Sequence, residues 1–152
     1  MTDPFARLAK LGLELPPVTA PLAAYVPAVQ TGNHVYVSGQ VPIADGKVLA
    51  TGKVGAEVTT DEAASLARRC ALSALAAVDD LVGLANVVRV VKVVGFVASA
   101  PGFTDQPAVI NGASELFGEV FGEAGRHARS AVGVAELPRG VPVEVEAIFE
   151  VR

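Results

Sequence analysis

The sequence predicts one α+β domain with the element order β-β-α-β-α-β-β. Its 152 residues lie within the usual size of a single domain. A capping box at Thr59 begins a long amphipathic helix. The valine-rich segment 87–97 is typical of a central strand that is covered on both faces. No linker separates these patterns, so a single domain over residues 1–152 is expected.

The first predicted element is a short extra helix at the N-terminus, over residues 3–14. Its apolar residues recur every three positions, and the pair Pro16-Pro17 ends it. The turn Gly32-Asn33 then separates two predicted strands. These strands are predicted at residues 25–30 and 34–41. A small hairpin at residues 47–50 follows them and precedes the long helix.

Two helices are expected to supply much of the core. The first runs from its cap at Thr59 to about Leu81, with Gly83 as its C-terminal stop. The second has Pro107 in its first turn and reaches about Val120. Two strands follow it. On the first helix Arg68 and Arg69 are expected to be solvated, and the buried stripe predicted by the helical period is Leu66, Cys70, Ala74, Ala77 and Leu81.

Composition restricts the location and the partners. Charged residues make up 18% of the chain, below the roughly 25% of an average soluble domain, which favours burial of apolar surface against other copies. The net charge of −4 and the scattered Lys and Arg predict no nucleic-acid partner. The most apolar run, 87–97, is too short to span a bilayer. We therefore expect no membrane association, and a cytoplasmic protein.

The predicted strand 128–137 contains the most informative cation. Alternation places Arg129 on one face, and Ser130, Val132 and Val134 on the other, which suits a core. A guanidinium beside open space is suited to a carboxylate, which it holds by two parallel hydrogen bonds. A structural or solvated arginine is the alternative, and the residue pattern alone favours it. The residues that share the face of Arg129 are small: Ala131, Gly133 and Ala135.

Two ordered blocks of sequence resemble the RidA/YjgF family. The first, residues 32–42, reads Gly-Asn-His-Val-Tyr-Val-Ser-Gly-Gln-Val-Pro. The second begins Ala-Arg-Ser-Ala-Val at residue 128, continues Ala-Glu-Leu-Pro at 135 and ends Val-Glu-Val-Glu-Ala-Ile at 143. Tyr25 and Asn111 also match positions of the family. The resemblance covers residues of about 21–151.

The resemblance implies a chorismate-mutase-like fold, with a mixed β-sheet and two helices packed on one face. It also implies a homotrimer with three ligand sites in the clefts between subunits. The ligand would be a small carboxylate: an imine, an enamine or a 2-keto acid. The implied reaction hydrolyses a 2-aminoacrylate-type intermediate to a 2-keto acid and ammonia. No metal or organic cofactor is needed for it.

The resemblance also assigns roles to particular residues. Arg129 would hold the substrate carboxylate, and Glu144 would position or activate the attacking water. Glu146 and Glu150 share the face of Glu144 by alternation, and only the resemblance selects Glu144. The remaining residues expected to bind substrate are Tyr25, Ser38, Gly39, Asn111 and His127.

Some positions depart from the family pattern. His127 replaces the usual proline, and Ala131 stands where a cysteine is common, so a thiol-dependent step is excluded there. His127 is either a loop residue without a chemical role or a titratable group beside the site. A tight hairpin over 128–151 would place Arg129 opposite residue 149. Glu144 would then reach Arg129 only across a subunit boundary, or if the strands are not paired.

Three functions remain open from the sequence. The first is an enamine/imine deaminase, and the second is a non-catalytic module that binds small carboxylates. The third is an endoribonuclease, a label carried by some members of the family. Six Phe, two Tyr and no Trp, together with the acidic balance, weigh against the third, because single-stranded RNA binding uses stacking platforms in a positive groove.

Overall fold

The computed structural model describes residues 3–18, 21 and 23–152. Its centre is a five-stranded mixed sheet with the strand order β1-β2-β7-β5-β6. Neighbouring strands are antiparallel except for β5 and β6, which are parallel. A separate two-stranded hairpin is formed by β3 and β4. The strands are β1 (Ala28–Thr31), β2 (His34–Gln40), β3 (Ile43–Ala44), β4 (Lys47–Val48), β5 (Val87–Ala98), β6 (Ala128–Val134) and β7 (Val143–Val151).

The two long helices cover one face of this sheet. The capping box that begins α2 (Thr60–Val82) is confirmed, since the Thr59 hydroxyl accepts from the Glu62 amide at 3.1 Å and the Glu62 carboxylate accepts from the Thr59 amide at 2.9 Å. The second long helix, α3 (Gln106–Phe121), packs against α2 where Gly112 lies against the carbonyl of Ala64. A side chain at Gly112 would collide with that backbone, so glycine permits the close approach.

On the other face of the sheet, no helix of the described residues is packed. Along β7 the odd-numbered residues are buried under the helices, and the even-numbered residues from Glu144 to Glu150 are half-buried on the opposite side. Tyr36 on β2 is 47% exposed and Val132 on β6 is 43% exposed. We call this side the open face of the sheet. The mixed sheet and the two helices on one face confirm the predicted fold class.

Several element bounds differ from the predictions. The N-terminal helix α1 (Pro4–Lys10) is shorter than 3–14, and the first strand begins at Ala28 rather than at 25. The predicted hairpin at 47–50 is centred earlier, on the turn between β3 and β4. On α2, Leu81 is 44% exposed and does not belong to the buried stripe. Helix and strand ends depend on tertiary contacts, which alternation and periodicity do not encode.

The prediction for the two faces of strand 128–137 was wrong. The strand ends at Val134, its Val132 is exposed, and Ala131 packs against the core instead. The reason is the pairing of β6 with β5, in which Arg129 lies beside Val93, a residue buried under the helices. Side chains at paired positions share a face, so Arg129 and Ala131 lie on the helix side.

Candidate functional site

Arg129 is held in place by α3. Its Nη1 donates to Asn111 Oδ1 at 2.9 Å and to Ser114 Oγ at 3.2 Å. Within residues 3–18, 21 and 23–152, no carboxylate forms an ion pair with it. The guanidinium is therefore oriented by neutral acceptors, and its positive charge is left for another anion.

His127 orients this network through Ser114. Its Nδ1 lies 2.6 Å from the Gly125 carbonyl, and its Nε2 lies 2.8 Å from Ser114 Oγ. A carbonyl only accepts, so Nδ1 carries the proton and the lone pair on Nε2 accepts from the Ser114 hydroxyl. Burial lowers the pKa of His127, the hydrogen bond to the Gly125 carbonyl opposes this in part, and the nearby charge of Arg129 lowers the pKa further. The imidazole is thus neutral and already engaged, which fits a positioning role better than that of a free base.

Glu144 lies on the opposite face of the sheet from Arg129. Strand β5 separates β6 from β7, with Val93 between Arg129 and Ala147 and with Phe96 beside Glu144. A hairpin of β6 with β7 is therefore excluded. Since residues 144 and 147 on β7 differ by an odd number of positions, their side chains point to opposite faces. Within one chain the two predicted catalytic residues do not meet.

The carboxylate of Glu144 packs against Gly39 of β2. A Cβ at Gly39 would lie only 2.9 Å from Glu144 Cδ, so a larger residue there would displace the carboxylate. Burial raises the pKa of Glu144, and the negative charge of Glu146 adds to the effect. In the part of the chain that the structure describes, no hydrogen bond is formed to this carboxylate. A desolvated carboxylate with a raised pKa is suited to accept a proton.

A cleft of about 740 Å³ opens beside Gly39. A bulge between Val37 and Gln40 interrupts the pairing of β2 with β7. The Ser38 hydroxyl donates to the Val26 carbonyl at 2.6 Å, which holds the segment preceding β1 against β2. Tyr25 is 59% exposed at the edge of the cleft. Other polar residues also line it: Gln40, Arg69, Ser73 and Arg139.

The predicted site residues thus form two groups. The anchor edge consists of Asn111, Ser114, His127 and Arg129, on α3 and β6 and the loop between them. The cleft group consists of Tyr25, Ser38, Gly39 and the adjoining Glu144. Strands β2 and β6 are three strand spacings apart in the sheet, which corresponds to about 14 Å. A small ligand cannot contact both groups of one chain.

Sequence reasoning missed Ser114 and misjudged Arg69. Ser114 follows Asn111 by three positions on a helix, and this spacing could have identified it as a neighbour on the same face. Arg68 forms an ion pair with Glu119 at 2.9 Å. Arg69 was expected to be solvated, but it is partly buried and its Nη2 donates to the Ile43 carbonyl at 3.2 Å. That hydrogen bond joins Arg69 to the β3–β4 hairpin, which is distant from it in sequence.

Other features of the chain have fewer chemical possibilities. Cys70 is fully buried on α2, as predicted for the buried stripe, and burial raises the pKa of its thiol, which is typical of an unreactive small hydrophobic residue. Among the described residues, no three His, Cys, Asp or Glu side chains lie together as metal ligands. No helix in that same part of the chain has the length and apolar character needed to cross a membrane.

Comparison with known proteins connects this geometry to a family. Residues 5–141 match the family described as "YjgF/chorismate mutase-like, putative endoribonuclease". Protein TCP17 of Trypanosoma cruzi is 48% identical over 147 residues, which are 95% of this chain and 92% of that protein. A 2-iminobutanoate/2-iminopropanoate deaminase of Dermatophagoides farinae is 36% identical over 136 residues, 90% of this chain and 92% of that enzyme. The crystal structure of Atu1372, a protein of unknown function from Agrobacterium tumefaciens, superposes with a TM-score of 0.88 at 47% identity and covers 96% of this chain and 90% of that one.

Proposed function

This chain belongs to the YjgF/chorismate mutase-like (RidA/YjgF) family, and we propose that it is an enamine/imine deaminase. The substrate would be a 2-aminoacrylate-type enamine or its imine, and the products a 2-keto acid and ammonia. The strongest support is the environment of the Arg129 guanidinium. Two neutral acceptors orient it, and no carboxylate among the described residues forms an ion pair with it. Such a group is suited to the carboxylate that all these substrates carry.

We further propose that the site forms between copies of the chain in a homotrimer. The anchor edge lies on β6, the outermost strand of the sheet, whereas the cleft lies near β2 on the other side. The open face and the free edge of β6 leave apolar surface, including Val132, that another copy would cover. Arg129 of one copy would then complete the cleft of its neighbour, beside Glu144.

The chemistry would need only positioning and one base. Arg129 holds the carboxylate, so that the adjacent imine carbon faces Glu144. Glu144 takes a proton from water as the water oxygen bonds to that carbon, the C=N π electrons move to the nitrogen, and Glu144 passes the proton on to that nitrogen. The resulting carbinolamine loses ammonia when its C–N bond breaks: Glu144 takes the hydroxyl proton as the C=O bond forms and gives a proton to the departing amine, which leaves the ketone. A positioned general base contributes typically about 10²–10⁴-fold to such a step.

A non-catalytic binding module is the second candidate. This function is favoured by the anchor edge, because a single chain forms the whole hydrogen-bond network around Arg129 and Glu144 takes no part in it. It predicts that 2-keto acids bind through Arg129, and that the protein adds no rate to the spontaneous hydrolysis of the imine.

Activity on freshly generated 2-aminoacrylate decides between these functions. We expect keto-acid release above the spontaneous rate, in proportion to protein concentration. Arg129→Ala should abolish that increment and weaken 2-oxobutanoate binding by about tenfold to a hundredfold, since charge-assisted hydrogen bonds are lost. Arg129→Lys should restore little, because an ammonium cannot reproduce the planar fork.

A matched control is Arg126→Ala. Arg126 is exposed and pairs with Glu123 at 3.6 Å, so its loss should change neither binding nor rate. Wild-type binding of 2-oxobutanoate without any added rate would identify the binding module. Wild-type affinity in Arg129→Ala would contradict both functions.

A further inference from the structure

Arg69 is a partly buried cation with unused hydrogen-bond donors on the wall of the cleft. One of its five N–H groups is used, where Nη2 donates to the Ile43 carbonyl. Its Nε is the one buried side-chain nitrogen or oxygen without a partner in the part of the chain that the structure describes. Nε is enclosed by the protein, whereas Nη1 makes no hydrogen bond to the described residues and is not enclosed, so Nη1 is the donor that an anion in the cleft would reach.

No acid on this surface neutralises Arg69. The two acidic residues that line the cleft, Glu14 and Asp45, are both exposed, and neither forms an ion pair with it among the described residues. The neighbouring Arg68, by contrast, is paired with Glu119. A cation that is partly removed from water and has no counter-ion favours an anion supplied from outside.

The surroundings of Arg69 provide room and polar contacts for such an anion. Ser73 and Ala77 follow it at four-residue spacing on α2 and line the same cleft. The volume of about 740 Å³ is typical of sites for ligands considerably larger than a three-carbon acid. Gly39, against which the Glu144 carboxylate packs, lines the same cleft as Arg69. The proposed base therefore adjoins this cleft through Gly39, on the same chain.

We propose that Arg69 is a second anion-binding position of this site, so that its ligands are 2-imino and 2-keto acids with a second, terminal carboxylate. The inference rests on the proposed function, in which Arg129 of a neighbouring copy holds the first carboxylate. Arg69 then binds the terminal carboxylate through the donors that the protein leaves free. Charge-assisted hydrogen bonds make this contact selective for a diacid over a monoacid of equal length.

Calorimetric titration with matched pairs of ligands tests the proposal. Each pair consists of a 2-oxo diacid and the 2-oxo monoacid of the same carbon number, at four, five and six carbons. We expect the wild type to bind at least one diacid about tenfold or more tightly than its matched monoacid. Arg69→Gln should remove that preference and leave monoacid affinity unchanged. Arg69→Lys should keep part of it, because the charge remains.

Arg68→Gln is the control variant, since it removes the adjacent arginine outside the cleft and should retain the full preference. If no diacid binds more tightly than its monoacid partner, the proposal is overturned. It is also overturned if Arg69→Gln weakens both ligands equally, because the role is then to hold the β3–β4 hairpin through Ile43. If the wild type binds neither kind of acid, the anchor at Arg129 fails, and this inference fails with it.

Discussion

The anchor edge and the cleft differ in how completely the folded chain satisfies their polar groups. At the anchor edge, Arg129, Ser114 and His127 form a continuous network that ends on the Gly125 carbonyl. In the cleft, Arg69 keeps an unpaired buried donor, and the adjoining Glu144 accepts no hydrogen bond from the described residues. Folding alone satisfies the first region, whereas the second keeps unused hydrogen-bonding groups.

The difference follows from how each region is built. The anchor edge is formed by α3 and by β6, which follows it after a short connection, so its contacts are close in sequence. The cleft combines the N-terminal segment, the end of β2, one face of α2 and the loop at Arg139. A buried polar group left without a partner costs about 1–3 kcal/mol. The cleft bears one such cost, at Arg69 Nε, as functional sites commonly do.

Among tests of the difference between the anchor edge and the cleft, Glu144→Gln is expected to have the largest effect on turnover. If the cleft supplies the base, turnover should fall by about 10²–10⁴-fold while 2-oxobutanoate binding stays nearly unchanged. Burial raises the pKa of Glu144, so the wild-type rate should fall as the pH decreases through that raised value and the carboxylate is protonated. The variant should lack this pH dependence.

Glu146→Gln is the matched control for Glu144→Gln, because residue 146 lies on the same face of β7. It should leave the rate at neutral pH nearly intact and move the fall of the rate to slightly lower pH, since the charge of Glu146 helps to raise the pKa of Glu144. His127→Ala separates the two regions further. If it abolished turnover while Glu144→Gln had no effect, the base would belong to the anchor edge and the comparison would be reversed.

A smaller effect is expected from mixing two inactive variants. The Arg129→Ala chain lacks the anchor, and the Glu144→Gln chain lacks the base. In a mixed trimer, some sites combine the intact Arg129 of a Glu144→Gln chain with the intact Glu144 of an Arg129→Ala chain. Random assembly of equal amounts restores about a quarter of the sites if each site joins two copies. Differently tagged chains, co-expressed and purified together, allow the rate to be measured.

Light scattering of the same mixture should give about three times the chain mass of 15.5 kDa. Activity no higher than that of the separate variants would show that anchor and base act within one chain. A mass near that of one chain would rule out the shared site.

The smallest effect concerns His127 and the stability of the anchor edge. Its pKa is lowered from 6.5 in the folded protein, so below pH 6.5 the unfolded chain binds more protons than the folded one. Stability should therefore fall as the pH decreases from about 6.5 toward the folded-state pKa. His127→Gln should show a smaller fall over this window, by a few degrees in Tm. Equal pH dependence in both proteins, measured by thermal unfolding, would mean that His127 is not coupled to the fold.

Local sequence determined much of the fold, and the family resemblance named most of the anchor edge. The capping box at Thr59 and the alternation along β7 each depend on residues close in the chain, and the structure bears them out. Arg129 was identified from a motif, and the structure places Asn111 against it. Ser114 and its hydrogen bond with His127 were not predicted. The three-residue spacing of Ser114 from Asn111 on α3 would have allowed Ser114 to be identified.

The order of the strands was decided only by the tertiary structure. Alternation predicted that Val132 faces the core and left open whether Arg129 and Glu144 meet. The insertion of β5 between β6 and β7 exposed Val132 and placed the two candidate catalytic residues on opposite faces. Arg69 likewise meets the β3–β4 hairpin, through the Ile43 carbonyl, only in the tertiary structure. Side-chain direction along a strand is a local property with a period of two, whereas the neighbours of a strand depend on contacts between distant segments.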